Sequence, residues 1–437
     1  MNSPAKFPPF PAGEHLMGRQ FLGCIVTMLL APLMHAADWN QFRGPAGTGH
    51  AESKNLPIEF GPEKNVVWKT PIPGAGWSSP VVVAGKVYVT TAVPNGEGPM
   101  AEQSLRTLCV DETSGKILWD VEVFKQTAAD QTKVHRKNSH ASPTPFVEDG
   151  KIYVHFGHMG TACLDAATGK TIWTQRLKYT PVHGNGGSTV VYKDLLLFSI
   201  DGTDAQKVVA LDKATGKVKW ETPRDAGPKS PFSFSTPTPI TVNGKDQIIS
   251  AGSDVVMALE PATGKEIWRA RYPGGYSLIP KPLFVHGLVY VCTGYNKPIL
   301  LAVKPDGTGN VTESHVPWKA TANVPHTPSL LILGDYLYMV SDKGILSCLD
   351  AKTGQEKWNE RIGGSYSASP LFAGGHIYLF SEEGDAIIFK PNEKEYTPVV
   401  TNKLGERTLA SPAVDGNALF VRTAGHLYRF QVGLDGR

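Results

Sequence analysis

Five times the chain repeats one phrase: an acid, three variable residues, Gly, and Trp four positions after the Gly. The copies run Asp111–Trp119, Asp165–Trp173, Asp212–Trp220, Glu260–Trp268 and Asp350–Trp358. Successive tryptophans stand 173 − 119 = 54, 220 − 173 = 47 and 268 − 220 = 48 residues apart. The gap of 358 − 268 = 90 residues leaves room for one decayed copy, which ends at Val316-Pro317-Trp318. A self-similar period of roughly 40–50 residues confines a chain to a propeller or a solenoid.

A second periodicity runs in step with the first. Each unit carries an apolar strand, a tight turn and another apolar strand. The turns fall at Ala84-Gly85, Asp149-Gly150, Lys193-Asp194, Asn243-Gly244, His286-Gly287, Gly334-Asp335, Gly374-Gly375 and Asp415-Gly416. Most offer the Asn, Asp or Gly that two-residue hairpins need for positive φ. In the acid–Gly–Trp phrase the carboxylate accepts backbone N–H groups across a further turn, and the Gly closes it. The Trp then covers the turn and the neighbouring unit, a burial of about 4–6 kcal/mol at the upper limit.

A four-stranded unit cannot bury both faces alone, so the units must stack. With 45 Gly, 34 Pro and 19% charged residues, the composition suits many short strands. The expected fold is all-β, an eight-bladed β-propeller of four-stranded antiparallel blades. Closure is also legible. Asn65-Val-Val-Trp68-Lys69 matches the outer strand of other blades but has no blade before it, and the chain lacks such a strand after Phe430. Residues 65–70 are therefore expected to complete blade eight, which removes two sheet edges.

The N-terminus has a separate message. Phe21 to Leu33 is a mostly apolar run, preceded by Arg19 and followed by small residues near Ala36. It has the length of a signal-peptide core and is short for a membrane span. Residues 1–36 are read as a signal peptide with an extension (Met17 being an alternative start), 37–64 as an entry segment packing on the propeller, and 65–433 as the propeller. The mature protein is expected to be exported, periplasmic or envelope-associated, and without a transmembrane span. Cys24 lacks the preceding apolar run of a lipidation site. Cys109, Cys163 and Cys348 share one repeat position where other copies have Ala, a small buried slot, so they are read as unpaired. The formal net charge of +3 and the absence of basic runs argue against a nucleic-acid partner.

The phrase Ala-x-Asp-x-x-Thr-Gly-x-x-x-Trp, whole in Ala210–Trp220, resembles the tryptophan-docking motif of the pyrroloquinoline-quinone (PQQ) repeat family. The resemblance covers about residues 60–433. It implies a quinoprotein-like propeller from a family with an enzymatic branch, the quinoprotein dehydrogenases, and non-catalytic branches. Among the latter is the lipoprotein propeller of the outer-membrane β-barrel assembly machine. The entry stretch Asp38-Trp39-Asn40-Gln41-Phe42-Arg43-Gly44-Pro45 resembles the opening of exported bacterial PQQ-like proteins. The enzymatic branch implies a vicinal Cys pair, a Trp stacked on the quinone, and Glu, Asn and Asp ligands to Ca²⁺. This chain has no adjacent cysteines, and Asp201, Asp204, Glu382, Glu383 and Asp385 are spread over blades three and seven.

One face of such a ring is uniform, made of the tight turns and the Thr-Gly turns. The other varies, with long segments at 91–106, 120–140, 176–187 and 222–235, and a ligand belongs there. Trp77, Lys137, Asn138, His140, His183, Asn185, Tyr276, His326, Tyr366 and Arg407 fall at blade entries on that face and are the ligand-binding candidates. His140, His155 and His158 do not make a metal set, since alternation separates the last two and no carboxylate accompanies them. The expected function is a non-catalytic, monomeric scaffold that binds a protein, peptide or envelope component without cofactor. The alternative is a PQQ- and calcium-dependent oxidoreductase with a diverged site.

Overall fold

The computed structural model describes residues 38–98 and 101–433. The expected leader over residues 1–36 lies outside them. The remainder forms eight antiparallel blades, an eight-bladed β-propeller with almost no helix. Blade one consists of strands 81–83, 86–95, 102–111 and 117–126, and blade two of 146–148, 151–155, 161–165 and 171–175. Blade three begins at Val190, blade four at Thr238, blade five at Leu283, blade six at Leu331, blade seven at Leu371 and blade eight at Ala413. The first strand of each blade is innermost: strand 81–83 touches both 146–148 and 413–415. Outer strands such as 356–361 are largely exposed. Strand 66–71 pairs antiparallel with 426–430, Val66 opposite Phe430 and Pro71 opposite His426, as the fourth strand of blade eight.

The repeated phrase forms the joint between blades. The Asp212 carboxylate accepts the backbone N–H of Thr215 at 2.9 Å and its hydroxyl at 2.9 Å. Asp111, Asp165 and Asp350 do the same in their own turns. Glu260, one methylene longer, holds only the Thr263 hydroxyl. Gly216 has φ +72°, and a Cβ there would lie 2.5 Å from the Trp173 ring of the preceding blade. Trp220 likewise covers Gly264 and donates its Nε1–H to the Pro261 carbonyl at 2.9 Å. Trp119 covers Gly169, and Trp358 donates to the Asn392 carbonyl. Trp268 differs because the next copy is decayed: it is fully buried, bonds Gln247, and its strand is extended by the parallel pair Gly309–Asn310.

Two details depart from the sequence reading. The last tight turn is centred on Gly416 and Asn417, one residue later than expected, because Asp415 pairs with Ala418. The segment 91–106 is mostly not a loop: strands 86–95 and 102–111 run on as a long hairpin. Its alternation of Val, Leu and polar residues favours continued pairing.

A belt of hydroxyls stitches the inner strands together. Ser79, Thr144 and Ser188 donate their N–H groups to the hydroxyls of Thr144, Ser188 and Thr236, each one blade further on, at 2.9–3.0 Å. Lys281, Ser329 and Ser369 do so to Ser329, Ser369 and Ser411. The belt satisfies backbone donors where converging strands have no neighbour.

Residues 38–60 enter the ring. Trp39 bridges Val82 of blade one, the Asn40 carbonyl accepts from Val147 of blade two, and Arg43 reaches the Leu330 carbonyl at the entry to blade six. His50–Ala51 then runs parallel to the inner strand of blade seven. A short segment bonded to inner strands around the ring can only lie along its axis. Residues 39–51 of the entry segment thus pack on the inner strands and fill the channel.

Candidate functional site

The long loop between blades one and two crosses the channel mouth. It carries Lys137, whose Nζ lies 2.7 Å from Glu382 Oε1 and 3.8 Å from Asp342 Oδ1, on blades seven and six. Asp342 is fixed from below: it accepts the His326 N–H at 2.7 Å and the Thr327 hydroxyl at 2.6 Å. Glu382 accepts the Ser367 hydroxyl at 2.7 Å and lies 3.5 Å from Arg407. Burial pushes the Glu382 carboxyl up, but Lys137, Ser367 and Arg407 together outweigh it and hold it below its usual value. The Arg407 guanidinium sits 5.6 Å from the centre of the Trp77 ring, within cation–π range.

An aromatic arc runs from the same loop around the rim. His135 meets His183 at 5.5 Å between ring centres, and His183 meets Phe232 at 5.3 Å. Phe232 meets Tyr276 at 5.4 Å, Tyr276 meets Tyr295 at 5.9 Å, and Tyr295 meets His326 at 5.4 Å. Each contact is edge-to-face, the arrangement that ring quadrupoles favour. Backbone bonds hold the arc: the Asn138 amide donates to the His183 carbonyl at 2.9 Å, and Tyr295 N–H to the Tyr276 carbonyl at 2.8 Å. His183 has a left-handed backbone, φ +63°, which turns its ring toward the arc. Burial, and then His183, lowers the pKa of His135, so its imidazole is neutral at physiological pH.

The candidates therefore divide. Trp77, Lys137, Asn138, His183, Tyr276, His326 and Arg407 lie along the mouth and rim. His140 and Asn185 line a separate cavity of about 10 Å³ with His158 and Met159, room for about one water. Burial lowers the His140 pKa there. Tyr366 is fully buried beneath the mouth, its ring packed in the core between blades six and seven, and takes no part in the rim. His155 is likewise buried against Phe198, its Nδ1 2.8 Å from the Thr161 hydroxyl, and His158 bonds the Asp130 carbonyl. Asp201 is consumed by a buried two-pronged ion pair with Arg224, at 2.7 and 2.9 Å. Asp204 caps Thr180.

Phe232, Tyr295, His135, Asp342 and Glu382 complete the site but were not among the candidates. Glu382 and Asp342 occupy the same turn in blades seven and six (Phe380-Ser381-Glu382, Val340-Ser341-Asp342), and that shared offset was the available signal.

The family model described as outer membrane protein assembly factor BamB matches residues 101–360. The chain belongs to this PQQ-repeat family. BamB of Moranella endobia is 24% identical over 320 residues, 67% of this chain and 75% of that one. The quinoprotein ethanol dehydrogenase of Pseudomonas aeruginosa is 31% identical over 147 residues, 30% of this chain but 23% of the enzyme. Among solved structures, BamB from Moraxella catarrhalis superposes with a TM-score of 0.60 at 14% identity, over 85% of this chain and 98% of that one. That likeness concerns the fold.

The residues present do not fit the quinone and calcium of the dehydrogenase branch. The axis is filled by residues 39–51, and the mouth carboxylates Glu382 and Asp342 face Lys137 and backbone donors instead of converging on one point. The four cysteines of the propeller, Cys109, Cys163, Cys292 and Cys348, are buried in separate blades. Among the described residues no group of three or more His, Cys, Asp or Glu converges to hold a metal, and no helix is long and apolar enough to cross a membrane.

Proposed function

We propose that this propeller is an exported, non-catalytic binding scaffold of the cell envelope, and that it holds a segment of a partner protein on its variable face. The carrying observation is the rim itself: an arc of His135, His183, Phe232, Tyr276, Tyr295 and His326, beside the charged group Lys137, Glu382, Asp342 and Arg407. Rigid aromatic side chains with polar tips beside an arginine are the residue types that dominate protein interfaces. The kinship to assembly factors that match most of their length favours a partner in outer-membrane protein assembly.

The test is site-specific photocrosslinking in envelope preparations, with the probe at Tyr295 on the rim and at Thr168 on the opposite face. The expected result is a discrete adduct with an outer-membrane assembly component from Tyr295 alone, lost in Tyr276→Ser. Equal adducts from both positions would remove the rim from the reading. An oxidoreductase reading has support in the partial dehydrogenase match. Dye reduction by the purified protein with PQQ, Ca²⁺ and simple alcohols would replace the scaffold reading.

A further inference from the structure

The hydroxyl belt has one irregular position. Ser79, Thr144, Ser188, Thr236, Ser329, Ser369 and Ser411 occupy the step before the inner strand in seven blades, and blade five has Lys281. Lys281 is only 3% exposed, and its ammonium lies against Gly47 of the channel segment. A Cβ on Gly47 would come within 2.1 Å of Nζ, so glycine is what admits the amine. Arg43, 2% exposed, lies in the same segment. It donates Nη2–H to the Thr48 and Leu330 carbonyls at 2.8 and 2.6 Å, but Nε and Nη1 are sealed from solvent without a partner.

Among the described residues no carboxylate lies within ion-pair distance of either cation, whereas the equally buried Arg224 has Asp201. Burial, and after it the charge of nearby Arg43, lowers the Lys281 pKa to about 7. Arg43 has no such escape, because a guanidinium stays protonated in proteins. His50, also depressed by burial and by Arg43, adds no negative charge. An unmatched buried charge is strongly destabilising unless something compensates it.

We infer that the propeller axis holds a small inorganic anion of the chloride class, bound between the channel segment and blade five by Arg43 and Lys281. The anion would pin residues 43–49 inside the ring and so couple channel filling to the salt outside.

Two measurements on the full mature chain test this. Thermal unfolding is compared in chloride and in gluconate at matched ionic strength, for the native protein and for Lys281→Ser, which restores the belt hydroxyl. The expected result is a melting temperature a few degrees higher in chloride, with the halide requirement of Lys281→Ser raised at least roughly tenfold. Crystals soaked in bromide should show an anomalous peak within hydrogen-bonding reach of Lys281 Nζ or Arg43. Halide-independent melting of the native protein, or bromide found only on the outer surface, overturns the inference. The diffraction result stands even if Lys281→Ser does not fold.

Discussion

The two faces of the ring use different residues to different ends. On the turn face, Asp, Thr, Gly and Trp recur at fixed spacing, and each side chain is spent on its own turn or on the next blade. At the mouth, His, Tyr, Lys and Glu come from loops of different length and meet only across blades. Repetition therefore reports the joint, and irregularity reports the site. The physical reason is symmetry: a joint must be made at each blade, whereas a ligand on the axis is met once.

That contrast can be broken at measurable points. Asp201→Ala should leave Arg224 buried without a counter-charge, held only by Ser199 and Ser250, and cost about 3–5 kcal/mol, read by denaturant unfolding. Trp220→Ala should cost a similar ~3–5 kcal/mol through the cavity between blades three and four. Gly216→Ala forces a left-handed alanine against the Trp173 ring, with a loss of about 1–2 kcal/mol or more. If Trp220→Ala and Gly216→Ala left stability unchanged, the joint would not carry the fold.

Effects at the mouth should be smaller. The Glu382 pKa is depressed in the folded state, so its contribution is complete above the unfolded value and is lost as pH falls through the folded one. Stability should therefore fall by about 1 kcal/mol or less below pH ~4, and Glu382→Gln should remove that part of the acid limb. Tyr295→Ala, at a residue 55% exposed, should change stability by no more than about 0.5 kcal/mol while abolishing the crosslink from a probe moved to neighbouring His326. A large stability loss at Tyr295 would mean that the arc is structural.

Much of the ring was legible because its determinants are local. Turn residues, alternating strands and the acid–Gly–Trp spacing each act within one unit, and the extra strand at 65–70 announced itself by lacking a blade. The site was legible only in part. Trp77, Lys137, His183 and Arg407 could be named because they interrupt the repeat at blade entries. Tyr366 interrupts it at the same offset, yet its ring turns into the core. Glu382 looked isolated because its partner Lys137 lies 382 − 137 = 245 residues away in sequence.

By itself, then, the sequence determined the number of blades, the strand pattern and the chemistry of the joints, since each depends on neighbours along the chain. Only the tertiary structure decided that residues 39–51 fill the axis, that a loop from blade one closes on blades six and seven, and that Arg43 lies buried in the segment held against Lys281. Those contacts join residues far apart in sequence, and no local preference encodes which blades will face each other across a closed ring.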